Sequence, residues 1–217
     1  INPKTGEFER DDNGVEKIEK RGIVLARRDN FPFLREAYMK LLLSILRLEN
    51  VKVGFQHVVW ACSQIMGNRL VPKGNLTIIR TLGDNYKGEY FMKTFGDEMN
   101  KMGKTANPGD RLEYVVVKTA AEMAGEVLPL GKKMRSIESF IESQRFPVGS
   151  PLPFGVYPQE PIDSMYYINN CLKNPIDQLF SIGYSRDLAK MGWIGFTPQN
   201  SRAHFQSVDN PVAMIVK

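Results

Sequence analysis

The hydrophobic pattern of the chain changes its period at Pro32, and this change limits the possible folds more than any other feature. Before it, the apolar run 23–26 follows Gly22 and ends in charged residues, which is typical of a short strand. After it, apolar residues recur at alternating steps of four and three, the period of an amphipathic helix. These residues are Leu34, Tyr38, Leu41, Ile45 and Leu48. The sequence therefore predicts a strand, a turn and a helix, with Asn30 as the helix N-cap.

Two arginines and a carboxylate follow the predicted strand, at Arg27, Arg28 and Asp29. Adjacent guanidinium groups suit a phosphate backbone, because their planar forks match phosphate oxygens and they are always charged. The alternative is a strand end with solvated charges and a salt bridge to Asp29. Local physics alone favours this second interpretation, so the first needs support from other segments.

The remaining patterns are mainly helical. The predicted helices cover residues 53–66, 85–102, 137–144 and 162–180. The last of them should kink or restart at Asn174-Pro175, because proline removes a backbone donor. Strands are predicted in a hairpin around residues 12–14 and over residues 112–118. Together these patterns predict an α+β fold that divides near residue 50, where strand and helix give way to a mainly helical body.

The composition is moderately basic, with 29 Lys and Arg against 24 Asp and Glu and a pI of about 9.1. This bias is compatible with nucleic-acid binding but does not establish it. Cys62 and Cys171 lie far apart in apolar contexts, and His57 and His204 lack partners at ligand spacing. Neither a disulfide framework nor a zinc site is therefore indicated, and a reducing intracellular setting fits. The apolar runs are too short to span a membrane.

Common enzyme motifs do not occur in the sequence. It contains neither a phosphate-binding loop with its lysine, nor a dinucleotide-binding glycine motif, nor a nucleophile elbow. Two-metal catalysis needs carboxylates fixed close together. The adjacent acidic pairs are Asp11-Asp12, in a predicted turn, and Asp97-Glu98, on a predicted helix where neighbours diverge by about 100°. On these residues alone the chain cannot be assigned as an enzyme.

Three segments carry more specific information when they are read in order. They are RGIVLARRDN at 21–30, GDRLEYVVV at 109–117, and PIDSMYYI at 161–168 followed by LKNPI at 172–176. They resemble K-G-x-x-x-x-R-R-D-N, G-D-R-[IV]-x-Y-V-I and P-I-D-x-x-Y-Y-L with L-x-x-P-[IL] of family B DNA polymerases. That family includes polymerase delta and the polymerases of large DNA viruses. Arg21 stands in place of the usual lysine and preserves its charge.

A fourth, weaker match lies between the first two. LVPKGNLT at 70–77 resembles the thumb motif L-[VI]-x-[TS]-K-x-L-[TS] with an offset of one residue. Tyr86-Lys87 then stands where the family has a Tyr-Lys pair before a helix. The family often continues with Pro-His-Val, whereas this chain has Tyr90-Phe91-Met92, so any contact made by that histidine is lost or replaced. Four motifs in the family's order make the resemblance specific.

The resemblance implies the end of a polymerase palm over residues 1–50 and a thumb over residues 51–217. The parent protein would be a DNA-directed DNA polymerase, a nucleotidyltransferase of DNA replication. Its catalytic aspartates, with their Mg²⁺, and its fingers and exonuclease domains would lie upstream of Ile1, so neither a cofactor nor a catalytic residue is expected in this chain. The expected partners are primer–template DNA, those upstream domains and a sliding clamp or other processivity factor. The expected location is intracellular, at replication sites in a nucleus or viral compartment, without a membrane partner.

The resemblance also implies which residues contact the duplex. They are Arg21, Arg27, Arg28, Asp29, Lys73, Arg80 and Lys87. Such contacts position the DNA backbone and do not read its sequence. The alternative for each lysine and for Arg80 is a solvated surface charge. The competing functional class is a non-catalytic DNA-binding thumb subunit or a basic helical interaction module, which would lack an upstream reading frame with Y-G-D-T-D.

Overall fold

The computed structural model describes residue 10, residues 30–88 and residues 90–190, without the side chains of 188–190. The hairpin and strand predicted before residue 30 lie outside the described residues. The helices are α1 (Pro32–Leu46), α2 (Val51–Met66), α3 (Phe91–Lys101), α4 (Ala120–Met123), α5 (Leu130–Lys133), α6 (Ile137–Ser143), α7 (Ser164–Tyr166) and α8 (Lys173–Lys190). The strands are β1 (Ile78–Thr81), β2 (Arg111–Val116) and β3 (Met134–Ser136). The α+β prediction is confirmed.

Helices α1 and α2 form a hairpin whose ends follow local rules. Helix α1 begins at Pro32, because proline has a helical φ and its missing amide is not needed in the first turn. Phe31 occupies the N-cap position, so the prediction that Asn30 caps the helix is wrong by one residue. Helix α2 is capped by Asn50, whose side chain accepts hydrogen bonds from the amides of Lys52 and Val53 at 3.0 and 3.3 Å.

Helix α8 packs against both helices of this hairpin. A kink or restart was predicted at Asn174-Pro175. The chain stays helical there: the π-helical segment Tyr167–Leu172 passes directly into α8 at Lys173, whose backbone angles are helical, and Pro175 lies in the first turn of α8. Gly54 of α2 allows the close approach: a Cβ there would lie 2.5 Å from the ring of Tyr184 and 2.9 Å from that of Phe180. The α1–α2–α8 layer therefore depends on a missing side chain as well as on apolar ones.

The described residues contain an antiparallel sheet in the order β1-β2-β3. The second half of β2 is buried on both faces, which suits its continuous run of valines, whereas Arg111 and Glu113 in the first half are exposed. Tyr114 and Val116 face the main core, whereas Val115 and the following Val117 pack with α6 in a smaller cluster. The sheet thus joins two apolar clusters through one central strand.

Helix α3 begins later than predicted. The pattern predicted helix from residue 85, but α3 starts at Phe91. Gly88 adopts a positive φ of 81°, which a right-handed helix does not allow, so the preceding residues form a turn.

The main core extends across the boundary predicted near residue 50. Leu34 and Leu41 of α1 belong to the same buried cluster as Val58 of α2 and Phe180 of α8. The division into palm end and thumb stays a prediction. Among the described residues, no helix combines the length and apolar character that crossing a membrane requires.

Candidate nucleic-acid interface

Lys73 lies on a wide turn, Pro72–Leu76, that projects from the start of β1 and is called here the Lys73 turn. Pro72 fixes one backbone angle, and Gly74 takes a φ of 100° with open space around its α-carbon. The hydroxyl of Thr77 donates a hydrogen bond to the carbonyl of Pro72 at 3.1 Å and closes the turn. Lys73 is exposed. The turn therefore presents its cation to solvent on a locally closed backbone.

The Lys73 turn is tied to two distant segments through one buried hydroxyl group. Tyr167 is 0% exposed and donates from its hydroxyl to the carbonyl of Leu76 at 2.8 Å. The same oxygen accepts from the amide of Val116 at 3.2 Å. Burial raises the pKa of Tyr167 well above its ordinary value, although the Val116 amide lowers it in part, so the hydroxyl keeps the proton that it donates. The sequence alone does not indicate this role of Tyr167.

Lys87 lies on the turn before α3 and is exposed. The turn is held by an aromatic pair, since the rings of Tyr86 and Tyr90 stack with centroids 4.7 Å apart. The Tyr86 hydroxyl also accepts a hydrogen bond from the amide of Gly83 at 2.5 Å. As at Lys73, a structured turn presents a lysine to solvent.

Arg80 has different surroundings. It is half-buried on β1, and its guanidinium carbon lies 5.3 Å from the centre of the Phe91 ring. Its charge also lowers the pKa values of Tyr166 and Cys171, which burial raises. Arg80 is therefore packed against the protein, and its contact with a duplex stays a prediction.

Among the described residues, no three His, Cys, Asp or Glu side chains lie close enough to hold a metal ion. Glu98 is paired with Lys101 at 2.9 Å, and Asp97 is exposed on α3. Asp11-Asp12 lies outside the described residues. The described part of the chain thus does not fit a Mg²⁺ site, and no catalytic step is assigned to it.

Comparison with protein-family models places these motifs in one family. The model of DNA polymerase family B matches residues 5–182. The chain belongs to DNA polymerase family B. No curated protein matches it in a search of whole sequences. Family membership supports a role in DNA replication as part of a DNA-directed DNA polymerase.

The family B match includes every residue predicted to contact DNA. Arg21, Arg27, Arg28 and Asp29 lie outside the described residues, so the structure does not show how they are arranged relative to Lys73. Their role stays a prediction. Of the predicted contact residues that are described, Lys73 and Lys87 are exposed and Arg80 is half-buried.

The third family-like segment is fixed by an ion cluster that sequence analysis missed. Asp163 accepts a hydrogen bond from the amide of Tyr166 at 3.0 Å and contacts Lys133 at 2.7 Å. Lys133 also contacts Glu122 at 2.7 Å, and Glu122 forms a capping box with Thr119. The Thr-x-x-Glu spacing could have indicated the capping box. The pairing with Lys133 could not be seen in the sequence, because it joins residues 30 positions apart.

Proposed function

We propose that this chain is the palm end and thumb of a family B replicative DNA polymerase and that it grips the primer–template duplex behind the active site. The proposal places Arg21, Arg27, Arg28 and Asp29 at the end of the palm. It places Lys73, Arg80 and Lys87 on the thumb. The catalytic aspartates and their Mg²⁺ belong to the palm upstream of Ile1, and a processivity factor would act on the assembled polymerase at replication sites.

The observation that carries the proposal is the Lys73 turn. A solvated surface lysine needs no support, yet the turn that bears Lys73 is anchored by a buried hydroxyl group that also contacts β2. The three segments that meet there are all family-like motifs. Anchoring restricts the directions that Lys73 can take, and a restricted cation suits a fixed phosphate better than bulk solvent.

The proposal predicts a specific change in the salt dependence of DNA binding. In Lys73→Ala and in Lys87→Ala, the slope of log K against log salt concentration should become shallower by about 0.9 for each lost phosphate contact on duplex DNA. The measurement is fluorescence anisotropy of a labelled primer–template duplex over a series of salt concentrations. Arg27→Ala and Arg28→Ala should each give a change of the same size.

Lys52→Ala is a matched control because Lys52 is also an exposed lysine. Lys52 lies in the first turn of α2, near the C-terminal end of α1. The Lys73 turn is bonded to Tyr167, whose ring contacts Phe31 at the N-terminal end of α1. The 15 residues of α1 separate these ends by about 22 Å. The control should keep the wild-type slope. A slope that stays unchanged in Lys73→Ala and Lys87→Ala would remove both lysines from the interface.

The competing proposal is a separately encoded, non-catalytic thumb subunit or basic helical module. Both proposals predict DNA binding by this chain, so the salt series does not separate them. The gene does: a reading frame that continues upstream of Ile1 into a Y-G-D-T-D motif supports the polymerase, and a start codon at that point supports the subunit.

A further inference from the structure

The register of the sheet shows where the pairing of β1 with β2 should continue. Ile78 lies opposite Tyr114, and in an antiparallel pair each step back on one strand is a step forward on the other. Leu76 would therefore lie opposite Val116. Nevertheless, β1 begins at Ile78, and Leu76 belongs to the Lys73 turn.

The hydrogen-bond alternation shows that these two residues would be direct partners. At the other end of the pairing, the amide of Leu82 donates to the carbonyl of Asp110 at 2.8 Å. Hydrogen-bonded pairs recur at every second position of an antiparallel ladder. Because Leu76 lies an even number of residues from Leu82, the pair formed by Leu76 and Val116 belongs to the hydrogen-bonded series.

The Tyr167 hydroxyl occupies the place of that backbone bond. Val116 donates to the hydroxyl oxygen, and the hydroxyl donates to Leu76, so two hydrogen bonds in series replace one. The carbonyl of Val116 accepts instead from the amide of Asp163 at 3.0 Å, next to the bridge between Val117 and Ile162. The ring is fixed from two sides, by Phe31 at 5.2 Å and by Tyr166 at 5.8 Å between centroids, both edge to face. The tyrosine thus separates the two backbone segments, while its hydroxyl satisfies the amide of Val116 and the carbonyl of Leu76.

We infer that Tyr167 is a positioning residue for the Lys73 turn: its ring keeps Leu76 from pairing directly with Val116, and its hydroxyl anchors the turn beside the sheet, where Lys73 meets the DNA backbone. The DNA part of this inference rests on the proposed function of Lys73. The positioning part rests on the geometry of the ladder alone. An experiment can therefore separate the two.

The variant Tyr167→Phe keeps the ring, and the ring still prevents Leu76 from pairing directly with Val116. Both backbone groups then lose their partner, which weakens the anchor of the turn. In the full chain, amide hydrogen exchange at Val116 and tryptic cleavage after Lys73 should each become on the order of tenfold faster under native conditions.

Tyr166→Phe is the matched control, because it removes a neighbouring hydroxyl that bonds to Cys171 and not to the ladder. The rate of amide exchange at Val116 and the rate of tryptic cleavage after Lys73 should equal those of the wild type in this variant. Equal rates in wild type and Tyr167→Phe would overturn the inference, as would the same acceleration in Tyr166→Phe.

A double-mutant cycle tests the connection with DNA. Tyr167→Phe should weaken binding to a primer–template duplex about threefold or more when Lys73 is present, and should have no effect in the Lys73→Ala background. An equal loss in both backgrounds would show a merely structural role and overturn the inference. If Lys73→Ala alone does not change binding, the proposed function of Lys73 fails and the DNA part of the inference fails with it. The exchange and cleavage rates still decide whether Tyr167 positions the turn.

Discussion

Replacing Arg135 with methionine should lower the free energy of unfolding by about 3–5 kcal/mol, because it leaves a buried carboxylate without its partner. Arg135 on β3 and Glu160 form a two-bond ion pair at 2.8 and 3.0 Å, and both residues are buried. The second terminal nitrogen of the arginine donates to the carbonyls of Lys132 and Met134. The guanidinium also lies over the Tyr157 ring at 4.1 Å. Urea denaturation at pH 7 measures the change as a lower midpoint with an unchanged m-value.

The double variant Arg135→Met with Glu160→Leu provides the control. It removes both charges and replaces them by apolar groups, so its stability should be near that of the wild type or higher. If Arg135→Met alone costs less than about 1 kcal/mol, the pair behaves as a solvated surface pair and the buried arrangement is wrong. Because Glu160 directly precedes the segment that begins at Pro161, the pair also fixes the approach to the third family motif.

Raising the pH from 9 to 11 should destabilise the protein by about 2 kcal/mol for each of its two cysteines, without any substitution. Burial raises the pKa of the Cys62 thiol from 9.0 to about 11, and the Asp177 carboxylate adds to this effect. Burial likewise raises the pKa of Cys171 to about 11, although its hydrogen bond with Tyr166 and the charge of Arg80 oppose it. Between these two pH values the unfolded chain releases both protons and the folded chain keeps them. The contribution of the two protonated thiols to the free energy of unfolding is therefore complete below pH 9. It is lost as the pH rises through 11.

Denaturant midpoints measured at intervals from pH 8 to pH 11 test this dependence. The double variant Cys62→Ala with Cys171→Ala serves as the control. Its denaturant midpoint should decline less steeply between pH 9 and pH 10 than that of the wild type, even if its absolute stability is lower. The decline above pH 10 should persist in the variant, because burial also raises the pKa values of Tyr166 and Tyr167. An identical decline in both proteins below pH 10 would contradict the assignment to the two thiols.

Much of the secondary structure could be predicted because it depends on local periodicity. The alternating steps of four and three after Pro32 predicted α1, and the apolar pattern predicted helix over residues 162–180, where the π-helical segment and the start of α8 lie. Errors occurred at element ends, where single residues decide. Asn30 was predicted as a cap one residue too early, and the helix predicted from residue 85 begins at Phe91 because Gly88 adopts a left-handed backbone.

The candidate site was predictable only in part. The lysines at positions 73 and 87 were identified by the motifs around them, and both are exposed on structured turns. Arg80 was identified in the same way, but its side chain packs on Phe91, which β1 and α3 bring together. Tyr167 entered only as one residue of the third motif. It is buried, and its hydroxyl bridges two backbone segments.

The sequence by itself determined the family, the α+β class and the identity of the exposed cations, because motifs, periodicity and charge are properties of consecutive residues. Only the tertiary structure decided how those cations are supported. The hydroxyl of Tyr167 lies between Leu76 and Val116, which are 91 and 51 residues away along the chain. The distance between Leu76 and Val116 is set by this one oxygen atom. It follows from the register of the sheet and from the packing of the Tyr167 ring, and local sequence patterns specify neither.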